Sequence, residues 1–182
     1  LDDLLPELFL GLNEMLALGR LTTVEHWIVY ATGAGKHFPL LALAEAEVAR
    51  RQGHFSSAES LARHASEQLA GSPFLSRAYT IVAESLYYDA ARLEESVAFG
   101  RKAEKVAQTS DDEYRALWGQ ILGASQLKEI DIGELVERLS AKRSGDANLE
   151  MRIAGAKVLA AERLGHVGDA ALEAERTMDV VT

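Results

Sequence analysis

Several residue types and patterns are missing from this chain of 182 residues. It has no cysteine, so neither a disulfide framework nor a thiolate metal site can form. No stretch approaches the roughly 18 apolar residues that a membrane-spanning helix needs, and the amino-terminal residues lack the basic start of a secretory signal. These absences favour a cytoplasmic protein that does not enter a membrane.

Basic residues are outnumbered by acidic ones. The 19 lysines and arginines face 28 aspartates and glutamates, which leaves a formal charge of −9. Such a charge repels phosphate backbones and argues against direct binding of nucleic acid. The sequence also begins with leucine, in an amphipathic pattern already under way by Leu4, and this suggests a fragment of a longer protein.

What the chain does contain is a recurring hinge, in which a small or turn-prone residue is followed by an apolar residue and a helix start. The steps between successive hinges are 34, 38, 37 and 37 residues. The five hinges are GRLT at 19–22, GHFS at 53–56, ARLE at 91–94, KEID at 128–131 and GHVG at 165–168.

The segments on both sides of each hinge have the pattern of amphipathic helices. Apolar residues recur with a spacing near 3.6, as in Leu41, Ala44 and Val48, and no segment alternates as a strand would. Ser56 with Glu59 forms a predicted capping box at one helix start. The predicted helices are 4–18, 22–32, 39–52, 56–70, 73–90, 93–108, 112–127, 131–143, 147–164 and 168–180.

These elements predict an all-α protein made of one domain. A single helical hairpin cannot bury its apolar face, so five antiparallel hairpins should stack on one another. The predicted units span about 4–35, 38–71, 73–109, 111–144 and 146–182.

Two stretches resemble a known family. The hinge at 52–61, with sequence QGHFSSAESL, places Ala58 and Ala65 at the paired small positions of a tetratricopeptide (TPR) repeat. The stretch 16–27, with sequence LALGRLTTVEHW, resembles the start of the superhelix in bacterial transcription regulators of the MalT and LuxR type. The resemblance departs at Glu84, where the family has a small residue.

The resemblance implies a right-handed superhelix, a TPR-like α-solenoid. In regulators of this kind the superhelix senses an inducer or a partner, beside a nucleotide-binding domain and a helix-turn-helix. The leading hypothesis is therefore a non-catalytic protein-interaction or effector-sensing superhelix of a bacterial signal-transducing transcription regulator. The alternative is a stand-alone TPR adaptor or oligomerisation module unrelated to transcription. The partner would be a protein, a peptide or a small inducer, and self-association stays open.

No residue pattern predicts catalysis, a cofactor or a metal. The segment 33–37, with sequence GAGKH, lacks the first glycine and the final serine or threonine of a phosphate-binding loop. His64 has no second nearby histidine to complete a metal site. No serine lies in a nucleophile elbow. We therefore expect a protein that is not an enzyme.

The resemblance also implies that the first helix of each hairpin lines a concave groove. Arginine, tyrosine and tryptophan are residue types that often anchor interfaces. A competing interpretation, in which Trp118 fills core between hairpins and the arginines are solvated, stays open. Counting from the hinges, the predicted partner-binding residues are Glu47, Arg50, Ser85, Tyr88, Arg115, Trp118 and Arg152.

Overall fold

The computed structural model describes residues 11–12, 15, 18–33, 38–90, 92–142, 147–166, 168–169, 172 and 175–176. Over these residues the chain is all-α, with eight helices and no strand, as predicted. The helices are α1 (Leu21–Gly33), α2 (Pro39–Arg51), α3 (Phe55–Gln68), α4 (Leu75–Ala90), α5 (Leu93–Val106), α6 (Ser110–Ala124), α7 (Ile132–Ser140) and α8 (Ala147–Arg163).

Each of these helices matches one predicted from the sequence, and the ends differ by at most three residues. The predicted helices 4–18 and 168–180 lie for the most part outside the described residues. Residues 34–37 of the GAGKH segment also lie outside them. Among the helices that the structure describes, none is long and apolar enough to cross a membrane.

A side-chain cap fixes the start of α7, whereas the cap predicted for α3 does not form. Asp131 caps α7, since its carboxylate accepts from the backbone N–H groups of Gly133 (2.9 Å) and Glu134 (3.3 Å). The capping box predicted at Ser56 does not form, because α3 already begins at Phe55. The Ser56 hydroxyl instead donates to Asp89 at the end of α4, which ties two helices together.

The helices form two rows. Each helix contacts its neighbours in sequence, and α2, α4, α6 and α8 also contact one another in succession. We call these four helices the A row, and α3, α5 and α7 the B row. Buried leucine, isoleucine and alanine side chains fill the space between the rows in two clusters, one centred on α2 to α4 and one on α6 to α8.

Glycines shape the hinges and the seam between the rows. Gly53 ends the turn after α2 with a φ of 79°, a left-handed conformation that favours glycine. At the α5–α6 contact, a Cβ on Gly123 would lie 2.7 Å from a methyl carbon of Val97 and 3.0 Å from the carbonyl oxygen of Leu93. The two helices can approach this closely only because no side chain intervenes.

Candidate functional site

The A row carries a cluster of charged side chains with Glu47 of α2 near its centre. Glu47 is 1% exposed, and its Oε1 accepts hydrogen bonds from Arg50 (2.8 Å) and Arg51 (3.2 Å). Arg77 of α4 places its Nη2 at 3.2 Å from the same oxygen. Burial alone would raise the pKa of Glu47, but the attraction of Arg77, Arg50 and Arg51 holds the pKa far below its ordinary value.

A second buried carboxylate, Glu84 of α4, connects α2 with α8. Its Oε2 lies 2.8 Å from Nη1 of Arg50, and its Oε1 lies 3.8 Å from Nη1 of Arg152. Burial lowers the pKa of Arg50, but the attraction of Glu84 and Glu47 outweighs burial and raises it. Because Glu84 is only 5% exposed, it holds both guanidinium groups from inside the protein.

Helix α6 adds a third carboxylate and two aromatic rings. Arg115 donates from Nε to Oδ2 of Asp111 at 2.6 Å. Burial would raise the pKa of Asp111, but hydrogen bonds from Arg115 and Tyr114 lower it. The guanidinium of Arg152 lies 5.9 Å from the ring centre of Tyr114 and 5.5 Å from that of Trp118. These distances suit cation–π attraction and hold Arg152 in place.

Among the described residues, the group that we call the arginine cluster contains five arginines and three carboxylates, in a protein whose formal charge is −9. Four of the arginine side chains are between 18% and 32% exposed, and the fifth, Arg77, is 7% exposed. The cluster consists of Arg50, Arg51, Arg77, Arg115, Arg152, Glu47, Glu84 and Asp111.

An open, mainly apolar cavity adjoins the cluster between α4, α6 and α8. Its volume is about 610 Å³, and Trp118 lines it while also lying under Arg152. Tyr88 and Met151, also in its lining, are 51% and 48% exposed. Burial and the nearby Glu84 carboxylate raise the pKa of Tyr88, so its hydroxyl remains a hydrogen-bond donor well above neutral pH.

Four residues of this site follow one step along the chain. Arg50, Glu84, Trp118 and Arg152 stand 34 residues apart in succession, one on each helix of the A row. The structure joins them through the contacts of Arg50 with Glu84, of Glu84 with Arg152 on the last helix of the row, and of Arg152 with Trp118. We call this series the A-row ladder.

All seven residues predicted for the groove lie on helices of the A row, in different environments. Arg50, Arg115 and Arg152 are partly exposed members of the arginine cluster, and Tyr88 and Trp118 line the cavity. Glu47 and Ser85 are buried, so neither offers its side chain to a partner. The Ser85 hydroxyl is fully buried and has no hydrogen-bond partner in the described structure.

Several members of the site were not found from the sequence. The sequence marks Glu84 only as a departure from the TPR pattern and does not single out Arg51, Arg77, Asp111 or Tyr114 for the groove. The hinge step does not lead to Glu84, since 38 residues separate the hinges on either side of it. All five depend on side-chain contacts that spacing along the chain does not reveal.

Comparisons of the chain with protein-family models, with curated proteins and with solved structures find no match. Over the described residues, histidine, aspartate and glutamate form no group of three or more that could hold a metal ion. The described residues of the site supply charged groups, hydrogen-bond donors and apolar surface.

Proposed function

We propose that this protein is a non-catalytic binding module whose helical hairpins stack as a superhelix, with the A row as the partner-binding face. The proposal of stacking is supported by the succession of contacts along the A row, from α2 to α4, α6 and α8, and by the ion pair of Arg50 with Glu84, which joins α2 to α4. Such contacts between successive units are typical of repeat proteins.

The observation that carries the binding proposal is a set of partly exposed arginines beside an open apolar cavity. Arg50, Arg115 and Arg152 are held by carboxylates of the arginine cluster and still reach the surface, with side chains between 18% and 25% exposed. Arginine, tryptophan and tyrosine on one face form a surface suited to anchoring a partner.

A narrower proposal concerns the biological setting. We propose that the module is the sensing superhelix of a bacterial signal-transducing transcription regulator, on the basis of the resemblance at 16–27 and 52–61. A stand-alone adaptor is the alternative. Sequencing the gene around this chain separates the two, since the regulator requires a nucleotide-binding domain and a helix-turn-helix in the same reading frame.

The binding face is tested with two double variants of equal charge. Arg115→Glu with Arg152→Glu alters the arginine cluster, whereas Arg101→Glu with Lys105→Glu alters exposed positions on α5 of the B row. Each pair makes the chain four charges more negative. Both purified variants and the unmodified protein are used to capture partners from an extract of the source cells, and captured proteins are identified by mass spectrometry.

We expect the A-row variant to lose partners that the B-row variant retains. Arg50 is not used in this test, because its reversal would place three carboxylates together inside the protein and compromise folding. Circular dichroism confirms that both variants are folded. Equal capture by the two variants would contradict the assignment of the A row as the binding face.

A further inference from the structure

We infer that the cavity between α4, α6 and α8 binds a small organic cation, an amine attached to an apolar group. This inference rests on the proposed binding function and assigns a small-molecule ligand to the cavity, beside the arginines of the partner-binding face. The ammonium group lies at Glu162, and the apolar group lies against Trp118 and Met151. The lining of the cavity supplies a separate reason for each part of this ligand.

The size and the apolar lining of the cavity determine the body of the ligand. Its volume of about 610 Å³ is in the range of pockets that accept small molecules. Trp118 contributes an aromatic ring, Leu122 and Val158 contribute aliphatic surface, and Met151 is 48% exposed. An apolar group that covers these side chains removes apolar surface from water, which favours binding.

A carboxylate determines the charge of the ligand. Among the described residues that line the cavity, Glu162 is the only charged one. Its side chain is exposed, and within the described structure it forms no ion pair. A ligand amine can therefore pair with Glu162 without displacing a cation of the protein.

The ends of three helices add to this negative charge. Tyr88, Leu122 and Glu162 line the cavity from the last turns of α4, α6 and α8. The last carbonyl groups of a helix carry partial negative charge, which stabilises cations nearby. One of these ends already attracts a cation of the protein, since Arg163 donates to the carbonyl oxygen of Ala124 at 2.8 Å. An ammonium group at Glu162 is stabilised in the same way.

The arginines beside the cavity do not turn its preference towards anions. Arg50 and Arg152 are not among the described residues that line it. Both guanidinium groups face the buried carboxylate of Glu84, with oxygens at 2.8 Å from Arg50 and 3.8 Å from Arg152. The charge presented by the lining itself is the carboxylate of Glu162, so the cavity should prefer an amine over an acid.

The test compares three probes that share a phenyl ring and differ in charge. These are phenethylamine, which is a cation at neutral pH, phenethyl alcohol, which is neutral, and phenylacetate, which is an anion. Trp27→Phe leaves Trp118 as the only tryptophan, so a change in its emission reports occupancy of the cavity. We expect phenethylamine to bind about threefold more tightly than the alcohol, and phenylacetate to bind most weakly.

Two glutamate variants in the same background then test the role of Glu162. Glu162→Gln should weaken binding of phenethylamine about threefold and leave binding of the alcohol unchanged. Glu137→Gln removes the same charge from an exposed position on α7 of the B row. It should leave the affinities for all three probes unchanged. Circular dichroism confirms that both variants are folded.

Each other result overturns the inference. Equal binding of the amine and the alcohol, or tighter binding of phenylacetate, would show that Glu162 does not select the ligand. An unchanged Trp118 emission with all three probes would show that the cavity is not a ligand site. Equal losses in Glu162→Gln and Glu137→Gln would attribute the preference to the overall charge of the protein. Partner capture that depends on Arg115 and Arg152 would still support the proposed function in each of these cases.

Discussion

Both rows of helices contain ion pairs between arginine and glutamate, but the two rows bury these side chains to different degrees. On the B row, Arg63 and Arg92 connect α3 with α5 through Glu59 and Glu95, two cations for two carboxylates. Three of these four side chains are between 34% and 44% exposed. On the A row the carboxylates of Glu47 and Glu84 are buried, and arginines outnumber them.

The difference separates two roles of an ion pair. A balanced, solvated pair contributes little to stability and presents a neutral surface. Buried carboxylates fix arginines firmly. The A row therefore holds partly exposed arginines on buried carboxylates, whereas the ion pairs between α3 and α5 on the B row are largely solvated.

The largest expected effect comes from removing the central carboxylate of the A row. Glu47→Gln leaves Arg77 buried without its neighbouring negative charge, and we expect the free energy of unfolding to fall by about 3–5 kcal/mol. The matched B-row change, Glu95→Gln, should lower it by at most about 1 kcal/mol. Urea unfolding followed by circular dichroism measures both. Similar losses in the two variants would abolish the distinction between the rows.

Low pH should destabilise the protein by protonating the Glu47 carboxylate. The pKa of Glu47 is lower in the folded protein than its ordinary value of 4.5, so its contribution to stability is complete above that value. Protonation at lower pH removes the contribution progressively. We expect the free energy of unfolding of the unmodified protein to decline from about pH 5 downwards, and that of Glu47→Gln to decline less steeply. Parallel pH profiles for the two proteins would contradict this.

An intermediate effect is expected at the seam between the rows. Gly123→Ala brings a methyl group against Val97 of α5, and we expect a loss of about 1–3 kcal/mol. Gly119→Ala, on the same helix, meets only the Cβ of Ala83 at an ordinary 3.4 Å. There the higher helix propensity of alanine should raise stability by up to about 1 kcal/mol. Thermal unfolding tests whether Gly123→Ala lowers stability and Gly119→Ala raises it.

The smallest effect is expected at another B-row contact. Arg138 of α7 pairs with Glu104 of α5, and both side chains are solvated to a substantial degree. We expect Arg138→Gln to change the free energy of unfolding by less than about 1 kcal/mol, and the change to shrink further in 1 M salt. A larger loss that persists at high salt would show that the B row also depends on its ion pairs.

The helices were predictable because their signals are local. The hinge glycines, Pro39 and the apolar spacing of 3.6 determine where α1 to α8 lie, and the structure agrees within three residues. Some side-chain roles within helices were not predictable. Ser56 has the sequence of a cap, but the neighbouring unit offers it Asp89, and this longer-range partner is the one it contacts.

The site was predictable only in part, because its side-chain contacts also depend on residues far apart in the sequence. Counting from the hinges places the right helices in one row, and Arg50, Arg115 and Arg152 follow from that count. Whether a residue on the row is buried depends on what the adjacent hairpins place over it, and Glu47 and Ser85 illustrate this. The pairing of Glu84 with Arg50 and Arg152, which belong to different units, is likewise evident only from the three-dimensional structure.

The A-row ladder affects local unfolding of the protein. In a chain whose helices contact only near neighbours, terminal helices can unfold while the centre stays folded. Glu84 of α4 and Arg152 of α8 belong to hairpins two steps apart, so local opening of α8 also disturbs the interior of α4. A ligand held by Arg152 should therefore slow amide hydrogen exchange in α4 as well as in α8, although the backbones of these two helices do not pack against each other.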